Sequence, residues 1–323
     1  MAAIEARNLG KIYQVPEKAP GLWGAFKSLF HRRFRDVPAL IEADFSIEEG
    51  ELVGFLGANG AGKTTTLKIL SGLLHPSSGQ ATVLGFIPWE RRSEFQKSFA
   101  LVMGHRTQLW WELPAQETFR LNKEIYEIPD AEYEETLDEL VDLLELQDCM
   151  PVPVKKLSLG QRMKAELAVS ILHRPKVLLL DEPTLGLDVL AQKKLRQFIL
   201  EYNRRRKATV LLTSHNMDDV VELCKRVLII ERGRIVYDGS LRQVVERYAT
   251  HKVIRADFGA EPPDLASLGR VIEKDGTRAA LEVPRAEVSQ RASELLSQFN
   301  IADLTIEETP VQEVVRRIFG ASE

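Results

Sequence analysis

Apolar and polar positions alternate in two early runs, "IEARNLGKIY" and "LIEADFSIEEGELVGFLG". A period of two predicts half-buried strands. The second run leads into "FLGANGAGKTTTLKIL", Phe55 to Leu70, where an apolar strand end gives way to a glycine-rich turn and an apolar helical pattern. "GLLHPSSGQATVLG" reads as a turn and a further strand. From about Pro88 to Val154 helical patterns dominate. There the acidic stretch "DAEYEETLDELVDLLELQD" places Leu137, Leu140, Val141 and Leu144 on one face and its charges on a solvated one. "KVLLLDEPT", "TVLLTSH" and "RVLIIERGRIVYDG" return to strands, the last a hairpin turning at Arg232-Gly233. The pattern resets near His251. "KVIRADF", "GRVIEKDGTRAALEV" and "ADLTIEE" are strand-like, while "RAEVSQRASELLSQF" and "PVQEVVRRIF" are helical. An α/β core with a helical insertion is predicted over 1–250, followed by a small α+β domain over 251–323.

The 323 residues suffice for about two domains. Lysines and arginines number 43 against 47 acids, a near balance that gives no general signal for nucleic acid, and none is expected as a partner. The two cysteines, Cys149 and Cys224, lack metal-site spacing and fit a reducing compartment. The start "MAAIEARNLGKIY" does not read as a signal peptide. No run approaches the ~20 apolar residues of a membrane span. Work on a membrane would therefore need another chain to supply the crossing.

The glycine-rich turn points to phosphate. Gly57, Gly60 and Gly62 allow the backbone to curl so that several N–H groups point inward, and the following helix adds its positive end. Lys63 supplies charge for the β- and γ-phosphates and Thr64 a hydroxyl for Mg²⁺; Asn59, Ala61 and Thr65 complete the nucleotide-binding stretch. In "VLLLDEPT" a buried strand ends in two carboxylates. Asp181 would hold Mg²⁺, and Glu182 would polarise a water beside the γ-phosphate.

"KLSLGQRMKAEL", starting at Lys156, completes a set whose order and spacing resemble ABC-type ATPases over about residues 4–250. The resemblance implies an α/β P-loop NTPase core with a helical subdomain, about 88–155, and an antiparallel β subdomain. It makes Ser158, Gly160 and Gln161 the signature that completes a partner's ATP site, with Leu159 standing where the commonest motif has glycine. Asp188 in "LGLD" matches the loop that couples two sites, His215 the switch histidine, and Tyr13 the aromatic that stacks on adenine. The family's metal-contacting glutamine falls on His105. Gln108, three residues later, takes the role through a shifted loop, or His105 takes it more weakly, because hard Mg²⁺ prefers oxygen.

"VMGHRTQLWWELPAQETF" and the extra C-terminal domain resemble the ABC-2 type exporters, the branch with the daunorubicin-resistance-like ATPases. That implies an ATPase, using ATP and Mg²⁺, on the cytoplasmic face of the bacterial inner membrane. It would close head to tail with a second copy, as a homodimer or a related heterodimer, and drive separate permease chains that export a drug, lipid or other amphipathic solute. A non-transport ATPase of the cell-division type is the alternative. Trp110 and Trp111 would lie near the groove for a permease helix, and the C-terminal domain would serve regulation or dimerisation. Finally, residues 16–40, "PEKAPGLWGAFKSLFHRRFRDVPAL", interrupt the first sheet. Read as a helix, they gather Leu22, Trp23, Phe26, Leu29, Phe30 and Phe34 on one arc, with Lys27, His31, Arg32 and Arg35 outside it. This predicts contact with anionic lipid or the permease.

Overall fold

The computed structural model describes residues 1–16, 34–104, 107–214, 216–248 and 250–309. The chain divides into two units, Met1–Asp238 and Gly239–Glu323. In the first, β1 (Ala2–Pro16) and β2 (Phe34–Glu48) form a long antiparallel ribbon. Strand β4 (Ser78–Val83) pairs on the other side of β1 to give a three-stranded sheet.

A six-stranded sheet forms the centre, in the order β5-β6-β7-β3-β8-β9. Its strands are β3 (Leu52–Leu56), β5 (Phe99–Met103), β6 (Val177–Asp181), β7 (Thr209–Thr213), β8 (Arg226–Glu231) and β9 (Arg234–Ser240). Pairs β5–β6, β6–β7, β7–β3 and β3–β8 are parallel. Every residue of β6 and β7 is buried, which explains their unbroken apolar runs: both faces are covered. The β8–β9 turn has φ 46° at Arg232 and 83° at Gly233, the two positive values that a tight two-residue hairpin needs.

Helices follow the strands: α1 (Lys63–Leu70), the short α2 (Ser93–Gln96), α3 (Ala115–Ile125), α4 (Asp130–Leu144), α5 (Leu159–Ile171), α6 (Val189–Arg206) and α7 (Met217–Leu223). In α4, Leu140 and Leu144 are buried and Leu137 and Val141 half-buried, as the apolar face predicts. Among the described residues no helix is long and apolar enough to cross a membrane.

Two expectations need correcting. Within the stretch read as helical, Phe99–Met103 is the edge strand β5, so the central sheet reaches into 88–155. Within the insertion, residues 34–40 belong to β2: Phe34 pairs with Pro16 and Arg35 with Val15, and backbone pairing keeps Phe34 out of any helix. Leu22, Trp23, Phe26, Leu29 and Phe30 lie outside the described residues.

The second unit has α8 (Leu241–Tyr248), then β10 (His251–Asp257), β11 (Arg270–Asp275), β12 (Arg278–Pro284), α9 (Val288–Gln298) and β13 (Asp303–Glu308). The four strands form an antiparallel sheet in the order β11-β12-β10-β13. Ile254, Leu281 and Val283 of the sheet share a core with Ala292 and Leu295 of α9. "PVQEVVRRIF" lies outside the described residues.

Candidate nucleotide site

The glycine-rich loop is seated by backbone contacts from two directions. Ala61 N donates to Ala58 O at 3.1 Å, and Gly233 N to Ala61 O at 3.0 Å. Gly62 has φ 117°, and a Cβ there would stand 2.4 Å from Ala39 O, so only glycine fits. Asn59 and Gly60 are exposed at the tip, whereas Ala61, Gly62 and Lys63 are buried. Helix α1 starts at Lys63 with no side-chain cap, which leaves its first N–H groups for a ligand. The Lys63 ammonium donates to Gly57 O at 2.6 Å and Ala58 O at 3.1 Å. Burial lowers its pKa, and the Glu182 and Asp181 carboxylates partly offset this. Phosphate oxygens are stronger acceptors for this ammonium than the two carbonyls it now holds.

The acid pair meets the loop directly. Thr64 Oγ1 donates to Asp181 Oδ2 at 2.9 Å, and Thr213 Oγ1 to Asp181 Oδ1 at 2.6 Å. Hydroxyl and carboxylate form an oxygen-only donor set, which fits Mg²⁺. Glu182 follows with φ 55°, a left-handed turn that breaks the strand immediately after the carboxylate. Its N–H is held by Thr213 O at 3.0 Å and Thr213 Oγ1 at 3.2 Å. Gly104, leaving β5, donates to Asp181 O at 2.9 Å, and a Cβ on it would come within 2.5 Å of Glu182 O. Tyr13, half-buried on β1, brings its hydroxyl to 3.4 Å from Thr65 Oγ1, next to the loop.

The signature residues stand at a separate helix start. Ser158 caps α5 through a reciprocal box: its Oγ accepts from Gln161 N at 3.2 Å, and its own N–H donates to Gln161 Oε1 at 3.0 Å. Gly160 lies 3.4 Å, measured from an added Cβ, from the Ala191 methyl of α6. Asp188 caps α6, accepting from Ala191 N at 2.8 Å. Leu159, Leu185, Val189 and Leu190 expose apolar surface around these two helix starts.

Of the two residues offered for the metal-contacting position, Gln108 turns elsewhere. Its amide donates to Ser170 Oγ at 2.8 Å and Leu101 O at 3.3 Å. It lines a groove of ≈ 510 Å³ with Leu73, Arg91, Ile125 and Tyr126. His105 and His215 lie outside the described residues. Trp110 and Trp111 are exposed, not packed, and Arg162 stands 5.7 Å from the Trp111 ring centre.

A family model described as ABC transporter matches residues 40–185. The ABC transporter ATP-binding protein NatA of Bacillus subtilis (strain 168) is 36% identical over 219 residues, 67% of this chain and 89% of that protein. The chain belongs to the ABC transporter ATP-binding proteins. As an ABC subunit it binds ATP and is an ATPase. The Nod factor export ATP-binding protein I of Sinorhizobium fredii (strain NBRC 101917 / NGR234) is 33% identical over 240 residues, 73% of this ABC chain and 68% of that protein. A solved ATP-binding subunit of an ABC transporter superposes with TM-score 0.63 at 26% identity, covering 76% of this chain and 93% of that one. Residues 250–307 match the C-terminal domain of EvrA-like ABC transporters.

One hub of this ABC subunit was not legible in the motifs. Asp219, fully buried on α7, accepts from Arg196 Nη1 at 2.9 Å, from Ser214 Oγ at 2.7 Å and from the Thr184 hydroxyl. It thereby joins the loop after Glu182 to the residue before His215. Only the spacing of an acid four residues after the histidine hinted at it.

Proposed function

We propose that this chain is the energy-supplying subunit of an ABC-2 type exporter, peripheral on the cytoplasmic face of a bacterial inner membrane, driving separate permease chains. Cassettes of this family dimerise and work with membrane permeases. The observation that carries the reading is the Thr64–Asp181 hydrogen bond, which brings the phosphate loop and the acid strand to one point. Lys63 and the loop N–H groups would bind the β- and γ-phosphates. Tyr13 would stack on the base. Thr64 and Asp181 would hold Mg²⁺, which would neutralise phosphate charge. Glu182 would orient and polarise the attacking water. Ser158, Gly160 and Gln161 open α5, not the helix that follows this chain's own loop, and would complete the site of a second copy; the apolar rim at Leu159, Val189 and Leu190 supports that contact. His215 would contact the γ-phosphate. The groove at Leu73, Ile125 and Tyr126 would take a permease helix. Export, rather than import, is supported by the Nod factor export relative. Residues 16–40 would meet anionic lipid or the permease.

The test is Glu182→Gln. It should bind ATP as the native protein does, hydrolyse it at least ~10²-fold more slowly, and accumulate as a closed dimer in size-exclusion chromatography with ATP. Near-native turnover would remove Glu182 from the role.

A further inference from the structure

A carboxyl side chain lies buried in the signature helix. Glu166, 4% exposed, is on α5 among Ala165, Leu167, Ala168 and Val169, all of them buried. A carboxylate in such surroundings is costly unless several donors reach it. They come from one short segment. Gln108 N donates to Oε2 at 2.9 Å and to Oε1 at 3.0 Å, Leu109 N to Oε1 at 3.2 Å, and the Thr107 hydroxyl also to Oε1. A second link runs parallel: Gln108 Nε2 donates to Ser170 Oγ, which donates to Glu166 O at 2.7 Å. Helix α5 thus grips residues 107–109 with its own carboxylate and backbone.

The grip matters because of where that segment leads. Two residues separate Thr107 from Gly104, so their Cα atoms are at most about 11 Å apart. Gly104 is hydrogen-bonded to Asp181 O and pressed against Glu182 O. At the other end, Glu166 stands six residues beyond Gly160 along one helix, a rise of about 9 Å. Gln108 Nε2 also donates to Leu101 O of β5 at 3.3 Å, and β5 pairs with the strand that ends at Asp181, so signature helix, carboxylate and acid strand form one short series. Gln108 and Ser170 also line the groove, so its occupant would press on the same series.

We infer that Glu166 is a positioning residue that locks the signature helix to the loop leaving β5, and so transmits the state of this chain's own ATP site to the signature that serves the other site. The inference rests on the shared-site reading above. It differs from simple helix stabilisation in what it predicts. Loss of the carboxylate should uncouple two sites without weakening either one's hold on ATP.

The experiment measures steady-state ATP hydrolysis by the full chain, native and Glu166→Gln, over a range of ATP concentrations. ATP binding by a fluorescent analogue and the thermal midpoint are followed in parallel. The native protein should show a Hill coefficient well above 1, as two coupled sites allow. In Glu166→Gln the coefficient should fall to about 1 and kcat by about tenfold, with analogue affinity within about twofold. Glu166→Asp, which keeps the charge, should recover part of kcat. Native kcat and cooperativity in Glu166→Gln would overturn the inference. If that variant fails to fold, Thr107→Val decides: Thr107 is exposed and loses only its hydroxyl. A lower Hill coefficient there supports the lock, and unchanged kinetics overturn it. A native protein that hydrolyses ATP as a non-cooperative monomer would instead sink the shared-site reading, and the inference with it.

Discussion

At the scale of single residues, the glycine-rich loop and the acid pair, which the structure joins through Thr64 and Asp181, were readable as candidates because their chemistry is local: glycines, a lysine and hydroxyls stand in one run. His173 was not readable. It follows α5, two residues past Ile171, as an ordinary histidine in sequence, yet its ring stacks on Tyr126 at 3.9 Å and its Nε2 meets Phe99 O at 3.0 Å. Burial pushes its pKa down to about 4, with the Phe99 carbonyl pulling weakly the other way. Between about 4 and the ordinary 6.5 the unfolded chain binds a proton that the folded chain refuses. Stability from this group is therefore full above pH 6.5 and is lost as pH falls through that window, by about 2 kcal/mol between pH 6.5 and 5. Urea unfolding at pH 7 and pH 5 should show the loss. His173→Phe keeps an aromatic ring on Tyr126 and should flatten the slope, after a pH-independent cost of about 1 kcal/mol for the lost hydrogen bond. An unchanged slope in that variant would mean that His173 is not its source.

Elements were legible where periodicity ran long and obscure where pairing decided. The face of α4 followed from its leucines. Strand β5 did not, because "FALVM" is only five residues at a sheet edge, and its partner Val177–Asp181 lies far along the chain. Likewise the aromatic, basic arc in 16–40 masked the strand residues 34–40, which only their register with β1 reveals. Packing of α6 against α7 turns on another distant pair. Arg196, 5% exposed, is opposed by burial, but its hydrogen bonds to Asp219 and Glu222 win and raise its pKa. Asp219→Ala would leave that guanidinium buried against one half-exposed acid and should cost about 3–5 kcal/mol. Asp219→Asn, which keeps two acceptor positions at one oxygen, should cost less. Denaturant midpoints would rank the two variants, and equal stability of Asp219→Ala and the native protein would contradict the account of the hub.

For the whole molecule, the motif order made the α/β class legible, while the grouping of strands into three sheets needed the long-range pairings. The division of labour between helix starts makes a prediction of its own. Lys63→Ala damages the phosphate loop and Ser158→Arg the signature, so each variant alone should be nearly inactive. Mixed in equal amounts they can form heterodimers with one intact site, restoring about a quarter of native activity if copies exchange freely. A mixture no more active than its parts would place both motifs in one chain's site. The strand order has a further consequence, for synthesis. Strand β3, which launches the phosphate loop, pairs with β7 through Leu52–Val210 and with β8 through Leu56–Ile229. On a ribosome adding about 5–20 residues per second, the loop emerges roughly 10–30 s before both its neighbours exist. Until then "LVGFL" offers two open edges to other chains, which is where a nascent or truncated product would aggregate. Production of this subunit therefore depends on the hairpin after β8: an amino-terminal fragment that stops short of Gly233 lacks the N–H that holds Ala61 O in the glycine-rich loop.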